Sequence, residues 1–180
     1  RMGRFLHAAG VGAEDIVQNC FGYHLTPAGH IFESGARAVG ARVLPAGTGQ
    51  TELQARAAAD IGTTAYAGTP DYLKLILEKA DEMGLATRFA RAVVGGGALF
   101  PSLRQYYHDR GIACLQCYAT ADLGNIAYEA PGPDFPAAAP EGMILDEGVV
   151  VEIVTPGTGT PVAEGEVGEV GADHHRAAAV

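Results

Sequence analysis

Hydrophobic positions recur every three to four residues in four segments of the chain, and each segment stops at a glycine. This spacing predicts amphipathic helices, because it places the apolar side chains on one face. Their first residues favour the same assignment: Thr before Pro opens two segments, and Ser or Thr with Gln three residues later forms a capping box in the others. The predicted helices cover residues 26–40, 51–62, 69–84 and 102–111.

Short apolar runs with little polar alternation precede the first predicted helix and follow each of the four. Such runs are typical of strands buried on both faces. Strands that alternate with helices predict an α/β fold, with a mostly parallel sheet flanked by helices on both sides. The predicted strands cover residues 16–21, 41–44, 63–67, 89–94 and 112–118.

The pattern changes at Pro131, after which Pro and Gly become dense and no helical period is present. Apolar segments at 142–146, 149–154 and 166–170 alternate with turns, as antiparallel strands do. We therefore expect an α/β subdomain over residues 1–130 and the start of a small β-barrel-like subdomain over residues 131–170. Residues 171–180 match neither pattern and are expected to form a frayed or anomalous tail.

The charge balance argues against a nucleic-acid partner. Twelve Lys and Arg residues against 21 Asp and Glu residues give a net charge of −9, whereas nucleic-acid-binding modules carry a basic face. The longest uncharged apolar run, residues 92–103, is shorter than the roughly 20 residues of a membrane span. Three cysteines and no secretory signal in the first residues favour a reducing, cytoplasmic compartment without a membrane partner.

The predicted topology limits where chemistry can occur, because open parallel sheets bind ligands in the crevice beyond the carboxyl ends of their strands. Three consecutive glycines at residues 95–97 would admit a flat or phosphate-bearing ligand, and a tight structural turn explains them equally well. Neither a dinucleotide fingerprint nor a P-loop is present. Cys114 and Cys117 form a single C-x-x-C, which favours ordinary strand residues over a redox or zinc site.

Five segments follow one another along the predicted crevice: Q-N-C-F-G-Y-H at 18–24, P-A-G-T-G-Q-T-E at 45–52, G-T-P-D-Y-L at 68–73, V-G-G-G-A at 94–98 and Y-A-T-A-D at 118–122. In this order they resemble the phenylacetate–CoA ligase family of the adenylate-forming, AMP-binding acyl-CoA synthetase superfamily. The resemblance spans about residues 5–170 and includes the family's change from a parallel sheet to a small β-barrel. It implies a central fragment of a larger AMP-forming aryl-CoA ligase.

The resemblance also implies roles for individual residues. Tyr118 corresponds to the tyrosine that stacks on the adenine of ATP or AMP. Asp122 stands where the family has the glutamate that holds Mg²⁺, and Tyr23 and His24 stand beside the acyl pocket. The residues implied in nucleotide binding are Gly96, Gly97, Ala98, Tyr118, Ala119 and Thr120.

The implied parent enzyme activates a phenylacetate-like aromatic carboxylate with ATP and transfers it to coenzyme A; a homodimer is one assembly left open. Ala119, Ala121 and Asp122 replace the Gly, Thr and Glu of the family motif. A non-catalytic nucleotide-binding α/β module and an inactive remnant are therefore alternatives. The family's phosphate loop, ribose-binding strand and C-terminal lid are not among these 180 residues, so we expect the chain alone not to complete the ligase reaction.

Overall fold

A computed structural model describes residues 1–174, and its main element is a seven-stranded sheet. The strands are β1 Ile16–Asn19, β2 Arg42–Pro45, β3 Ala65–Gly68, β4 Arg91–Val94, β5 Ala113–Thr120, β6 Gly124–Tyr128 and β7 Ile144–Leu145. They are ordered β2-β1-β3-β4-β5-β6-β7 across the sheet. The first five strands are parallel, whereas β6 and β7 add to one edge in antiparallel fashion. The predicted fold class, a mostly parallel sheet with flanking helices, is confirmed.

Five helices cover the two faces of this sheet. They are α1 Met2–Ala8, α2 Ala28–Ala38, α3 Thr51–Ile61, α4 Pro70–Glu82 and α5 Pro101–Asp109. Helices α1 and α2 supply Phe5 and Phe32 to one buried cluster, together with Leu115 from β5. Helices α3, α4 and α5 cover the opposite face, where a second cluster includes Leu73 and Tyr107. Each face of the sheet therefore has its own apolar core, as expected for crossovers on both sides.

Close packing at the end of β3 fixes the start of α4. A Cβ atom on Gly68 would lie 2.1 Å from the hydroxyl oxygen of Tyr66, so no larger residue fits without moving that buried ring. The Tyr66 hydroxyl donates a hydrogen bond of 3.0 Å to the carbonyl oxygen of Thr69, the residue before α4 begins. Proline at the first helical position, as the sequence predicts for Pro70, then continues the chain into the helix.

The predicted capping boxes are wrong. Thr51 is the first residue of α3 and not its N-cap, which is Gln50 in a left-handed conformation; α5 begins at Pro101, before Ser102. None of the helices in residues 1–174 has a side-chain hydrogen bond at its N-cap. Gln54 instead turns into the protein and is buried, because its carboxamide finds partners there that the helix end does not offer.

Two elements were not predicted, and strand β2 differs from its prediction in its exposure. Helix α1 and strand β6 lack a recognisable signal because α1 is only seven residues long and β6 begins immediately after a turn. Strand β2 lies at the edge of the sheet, so its residues are exposed or half-buried and not covered on both faces.

The C-terminal part divides differently from the predicted boundaries. Strand β7 belongs to the main sheet, so the segment beyond residue 131 still contributes to it. A separate two-stranded antiparallel sheet follows, made of β8 Val149–Val154 and β9 Glu169–His174. Residues 171–174 thus continue a strand and are not part of a frayed tail, and residues 175–180 lie outside the described residues. None of the helices in the described part of the chain combines the length and apolar character needed to cross a membrane.

Candidate functional site

An apolar cavity of about 120 Å³ lies at the carboxyl ends of β1, β4 and β5, beneath the start of α2. Phe21 and Phe32 form one wall, with ring centroids 4.1 Å apart and planes inclined by 27°. Ile31 adds an aliphatic surface from the same helix. The complete lining is Phe21, Thr26, Pro27, Ala28, Ile31, Phe32, Gly95, Gly96, Cys117, Ala119, Thr120 and Ala121. The cavity therefore occupies the crevice in which doubly wound sheets bind ligands.

Cys117 in β5 and Gly95 directly after β4 contribute neighbouring parts of this lining. A Cβ atom on Gly95 would lie 2.9 Å from the Sγ atom of Cys117 and 3.8 Å from Cζ of Phe32. Glycine is thus the residue that leaves this part of the cavity open. Burial raises the pKa of the Cys117 thiol to about 12, so at neutral pH it is a small uncharged group suited to an apolar ligand.

The glycine turn after β4 projects beside the cavity. Gly96, Gly97 and Ala98 are exposed, and Gly96 adopts a left-handed conformation with φ of +71°. Among these three only Gly96 lines the cavity. The next residue, Leu99, is buried at 7% exposure and anchors the turn in the core. The turn accordingly presents backbone at its tip, where a flat ligand could approach closely.

The residues directly after Tyr118 line the cavity, whereas Tyr118 itself does not. The Tyr118 side chain is 43% exposed, and a β-bulge separates it from Ala119, which lines the cavity with Thr120. The Thr120 hydroxyl oxygen accepts a hydrogen bond of 3.1 Å from the backbone N–H of Leu123. That bond fixes the side chain and leaves its O–H group able to donate to a ligand oxygen.

Asp122 is exposed in the turn between β5 and β6, at the same end of the sheet as the cavity. Residues 1–174 contain no cluster of three or more His, Cys, Asp or Glu side chains able to enclose a metal ion. A single exposed carboxylate still fits Mg²⁺ bound to a nucleotide, since this ion keeps several waters and uses one or two carboxylates together with the phosphates.

Tyr23 and His24 do not line the cavity. The Tyr23 hydroxyl accepts a hydrogen bond of 2.7 Å from Nδ2 of Asn19, and the Glu33 carboxylate is its acidic neighbour. Burial and this acidic neighbour raise the pKa of Tyr23. Its ring also covers Gly29, where a Cβ atom would lie 2.8 Å away. Tyr23 thus braces the start of α2, whereas His24 is exposed.

The residues that form most of the apolar wall were missed by sequence reasoning. Phe21 ends the first apolar run, and Ile31 and Phe32 lie on the apolar face of α2, so their composition predicts only core packing. A usable signal was the position of Phe21 directly after a parallel strand, where the ligand crevice begins.

A chain of buried carboxamides supports the neighbouring loop, which follows β2. Nε2 of Gln54 donates to the carbonyl oxygens of Ala46 and Gly47, each at 3.1 Å. Its Oε1 accepts from Nε2 of Gln18 at 2.7 Å, and Oε1 of Gln18 accepts from the Thr63 hydroxyl at 3.1 Å. Because these groups are buried, each unmade bond would be costly, and the loop is held in one conformation.

The sheet order and the cavity at the carboxyl ends of its strands define an α/β protein with a crevice of the kind in which such folds bind small ligands. Comparison with known proteins then identifies its relatives. The chain is 30% identical to the phenylacetate-coenzyme A ligase of Escherichia coli (strain K12), over 93% of this chain and 39% of that protein. It is 27% identical to the enzyme of the same name from Thermus thermophilus, over 92% and 37%. No family model matches the chain.

Solved structures give the same result for the fold. A 2-hydroxyisobutyryl-CoA ligase in complex with 2-HIB-AMP and CoA superposes with a TM-score of 0.83 at 18% identity, over 96% of this chain and 39% of that one. The chain is therefore a relative of the phenylacetate–CoA ligases and has the fold of acyl-CoA ligases. It spans about two fifths of the length of the curated relatives it matches.

Proposed function

We propose that this chain supplies the nucleotide-binding and acyl-binding surfaces of an AMP-forming acyl-CoA ligase whose carboxylate substrate carries one aromatic ring. The observation that carries the proposal is that the apolar cavity reaches Gly96 of the glycine turn on one strand end and Ala119 and Thr120, directly after the half-exposed Tyr118, on the next. An apolar site thus adjoins a surface suited to a nucleotide base. The relatives named for phenylacetate support this substrate class.

The size of the cavity favours a single ring. Its volume of about 120 Å³ is close to that of an engineered apolar cavity of about 150 Å³ that binds benzene. The stacked rings of Phe21 and Phe32 offer aromatic contact to a bound ring. The cavity lining contains no charged side chain that would disfavour an apolar group. A long acyl chain would exceed this volume.

Tyr118 and the glycine turn suit an adenine ring between them. An aromatic side chain exposed at the edge of a site stacks on a base, and the exposed backbone of Gly97 and Ala98 permits an edge-on approach. A phosphate placed beyond the base would come near Thr120, whose hydroxyl can donate a hydrogen bond. Mg²⁺ carried by ATP would neutralise phosphate charge, and our proposal assigns Asp122 as the carboxylate that would hold it.

The chemistry proposed for the parent enzyme has two steps. A carboxylate oxygen of the substrate bonds to the α-phosphorus of ATP as the bond to pyrophosphate breaks, which yields an acyl-adenylate. The thiol of coenzyme A, after losing its proton, then bonds to the acyl carbon and AMP leaves. The residues of this chain act by positioning the carboxylate and the nucleotide, which is how binding geometry accelerates such transfers.

The antiparallel pair β8 and β9 would begin the small β-barrel-like subdomain of the parent enzyme.

The test is a titration of the ¹⁵N-labelled chain with AMP and, separately, with phenylacetate. AMP should shift the amide resonances of Gly96, Gly97 and Thr120, and phenylacetate those of residues around Phe21. Tyr118→Ala should weaken AMP binding by about 1–3 kcal/mol, and Tyr118→Phe, which keeps the stacking face, should not. The proposal would be contradicted if neither AMP nor phenylacetate gave saturable shifts. Equal AMP affinity in Tyr118→Ala and Tyr118→Phe would also contradict it.

A further inference from the structure

A buried ion pair between Arg104 and Glu129 has no role in the site as described so far. Nη2 of Arg104, in α5, contacts both carboxylate oxygens of Glu129 at 2.7 and 2.9 Å, and the two side chains are only 15% and 5% exposed. Glu129 also accepts hydrogen bonds from the backbone N–H of Gln116 at 2.9 Å and from its Nε2 at 3.0 Å. The carboxylate is thus fully occupied and holds the Gln116 side chain in one orientation.

Gln116 connects this ion pair to the glycine turn. Its Nε2 is committed to Glu129, so Oε1 faces the other way and accepts the backbone N–H of Leu99 at 3.2 Å. Leu99 immediately follows the exposed residues 96–98. Gln116 also lies two residues before Tyr118 in β5, and side chains two apart in a strand lie on the same face.

We propose that Gln116 is a positioning residue for the nucleotide, because its carboxamide fixes the spacing between the glycine turn and the Tyr118 ring. This inference rests on the proposed function. Glycines lose more conformational freedom on ordering than other residues, so a turn rich in them needs an external restraint to bind a rigid base at low entropic cost. The Arg104–Glu129 pair supplies that restraint by fixing the amide orientation of Gln116.

The test compares three forms of the chain. Gln116→Met keeps the length of the side chain and removes both of its hydrogen bonds. Gln105→Met is the matched control, since Gln105 is exposed on α5 and its side chain hydrogen-bonds to His108 and Asp109 of the same helix. The exchange Gln116→Glu with Glu129→Gln retains the net charge and an acceptor for Leu99.

In Gln116→Met we expect faster hydrogen exchange of the Leu99 amide and AMP affinity lower by roughly three- to tenfold, the equivalent of one hydrogen bond. Phenylacetate affinity should stay unchanged. A variant that is merely destabilised would instead lose affinity for both ligands. The control should match the wild type. The exchanged double variant should protect the Leu99 amide and restore AMP affinity.

Different results separate this inference from the proposed function. Wild-type AMP affinity or a fully protected Leu99 amide in folded Gln116→Met overturns the role of Gln116 and leaves the proposed function standing. If Gln116→Met does not fold, the exchanged variant decides: protection of Leu99 without AMP binding overturns the inference. A wild-type chain that binds no AMP overturns the proposed function and the inference with it.

Discussion

The Sγ atom of Cys117 lies 2.9 Å from the point that a Cβ atom would occupy on Gly95, at the meeting of β5 with the turn after β4. Both residues line the apolar cavity and both are buried. The space available to a ligand therefore depends on the absence of one methyl group beside one sulfur atom.

Gly95→Ala should narrow the cavity, since Cβ atoms do not approach other atoms this closely and the thiol must move. We expect a loss of about 1–3 kcal/mol of unfolding free energy, as for other overpacked cores, and weaker binding of phenylacetate. Calorimetric titration and thermal unfolding measure the two effects. Gly97→Ala is the control, because its Cβ would lie 3.4 Å from Pro70 in ordinary contact, and Cys117→Ala should rescue Gly95→Ala. Unchanged affinity in Gly95→Ala would contradict this account.

Removal of one partner of the buried ion pair should be costly. Arg104→Met leaves the Glu129 carboxylate without its cation, and we expect a loss of roughly 3–5 kcal/mol in unfolding free energy. Adding Glu129→Met should recover part of that loss, because no uncompensated charge is then buried. Urea denaturation measures both. Arg56→Met is the control: it removes an exposed ion pair with Glu52 and should lower the unfolding free energy by about 0–1 kcal/mol. A loss in Arg104→Met no larger than this would show that Glu129 is not left as an uncompensated buried charge.

Asp122→Asn should distinguish ATP·Mg²⁺ from AMP. The substitution removes a charge that matters only when a cation and several phosphates are bound, so affinity for ATP·Mg²⁺ should fall by several-fold or more and that for AMP should stay nearly constant. Titration of both ligands against Asp122→Asn and the exposed control Asp60→Asn measures this. Equal losses for the two ligands would leave Asp122 as an ordinary turn residue.

The buried cysteines should make stability fall at high pH. Burial raises the pKa of Cys20, Cys114 and Cys117 from 9.0 to about 12 in the folded chain. Below pH 9 the thiols are protonated in both states and the stabilisation is complete. Above it the unfolded thiols ionise first, so unfolding free energy should decline between pH 9 and 12, by at most about 1.4 kcal/mol per thiol for each pH unit. A triple Cys→Ala variant should show a shallower slope between pH 9 and 10, and an identical slope would rule out the thiols as its cause.

The C-x-x-C pattern should not bind zinc in the folded chain. Cys114 packs in the cluster under α3, α4 and α5, whereas Cys117 packs in the cluster under α1 and α2, so the two thiols lie on opposite faces of β5. A structural zinc ion needs four ligands around one point. Elemental analysis of the purified chain should find no stoichiometric zinc; zinc that disappears in the Cys114→Ser, Cys117→Ser double variant would contradict this prediction.

The roles of two buried or half-buried carboxamide side chains, Gln54 and Gln116, could not be predicted from the sequence. Gln54 looks like the end of a capping box because Thr51 precedes it by three residues, yet its partners are Gln18, 36 residues away in sequence, and the loop after β2. Gln116 carries no signal at all, and its partners Leu99 and Glu129 come from separate loops. A carboxamide can donate and accept with equal ease, so only the surrounding fold selects its role.

The sequence alone determined the alternation of helices and strands and the mostly parallel sheet, and from that topology it predicts a ligand crevice beyond the carboxyl ends of the strands. Local periodicity and glycine stops suffice for these, because they record which side chains face a core and where a helix must end. The tertiary structure decided that β6 and β7 extend the same sheet, that Phe21 and Phe32 enclose the cavity while Tyr23 braces a helix, and that Gln116 joins the glycine turn to β5. Those outcomes depend on contacts between residues far apart in sequence, which no local pattern encodes.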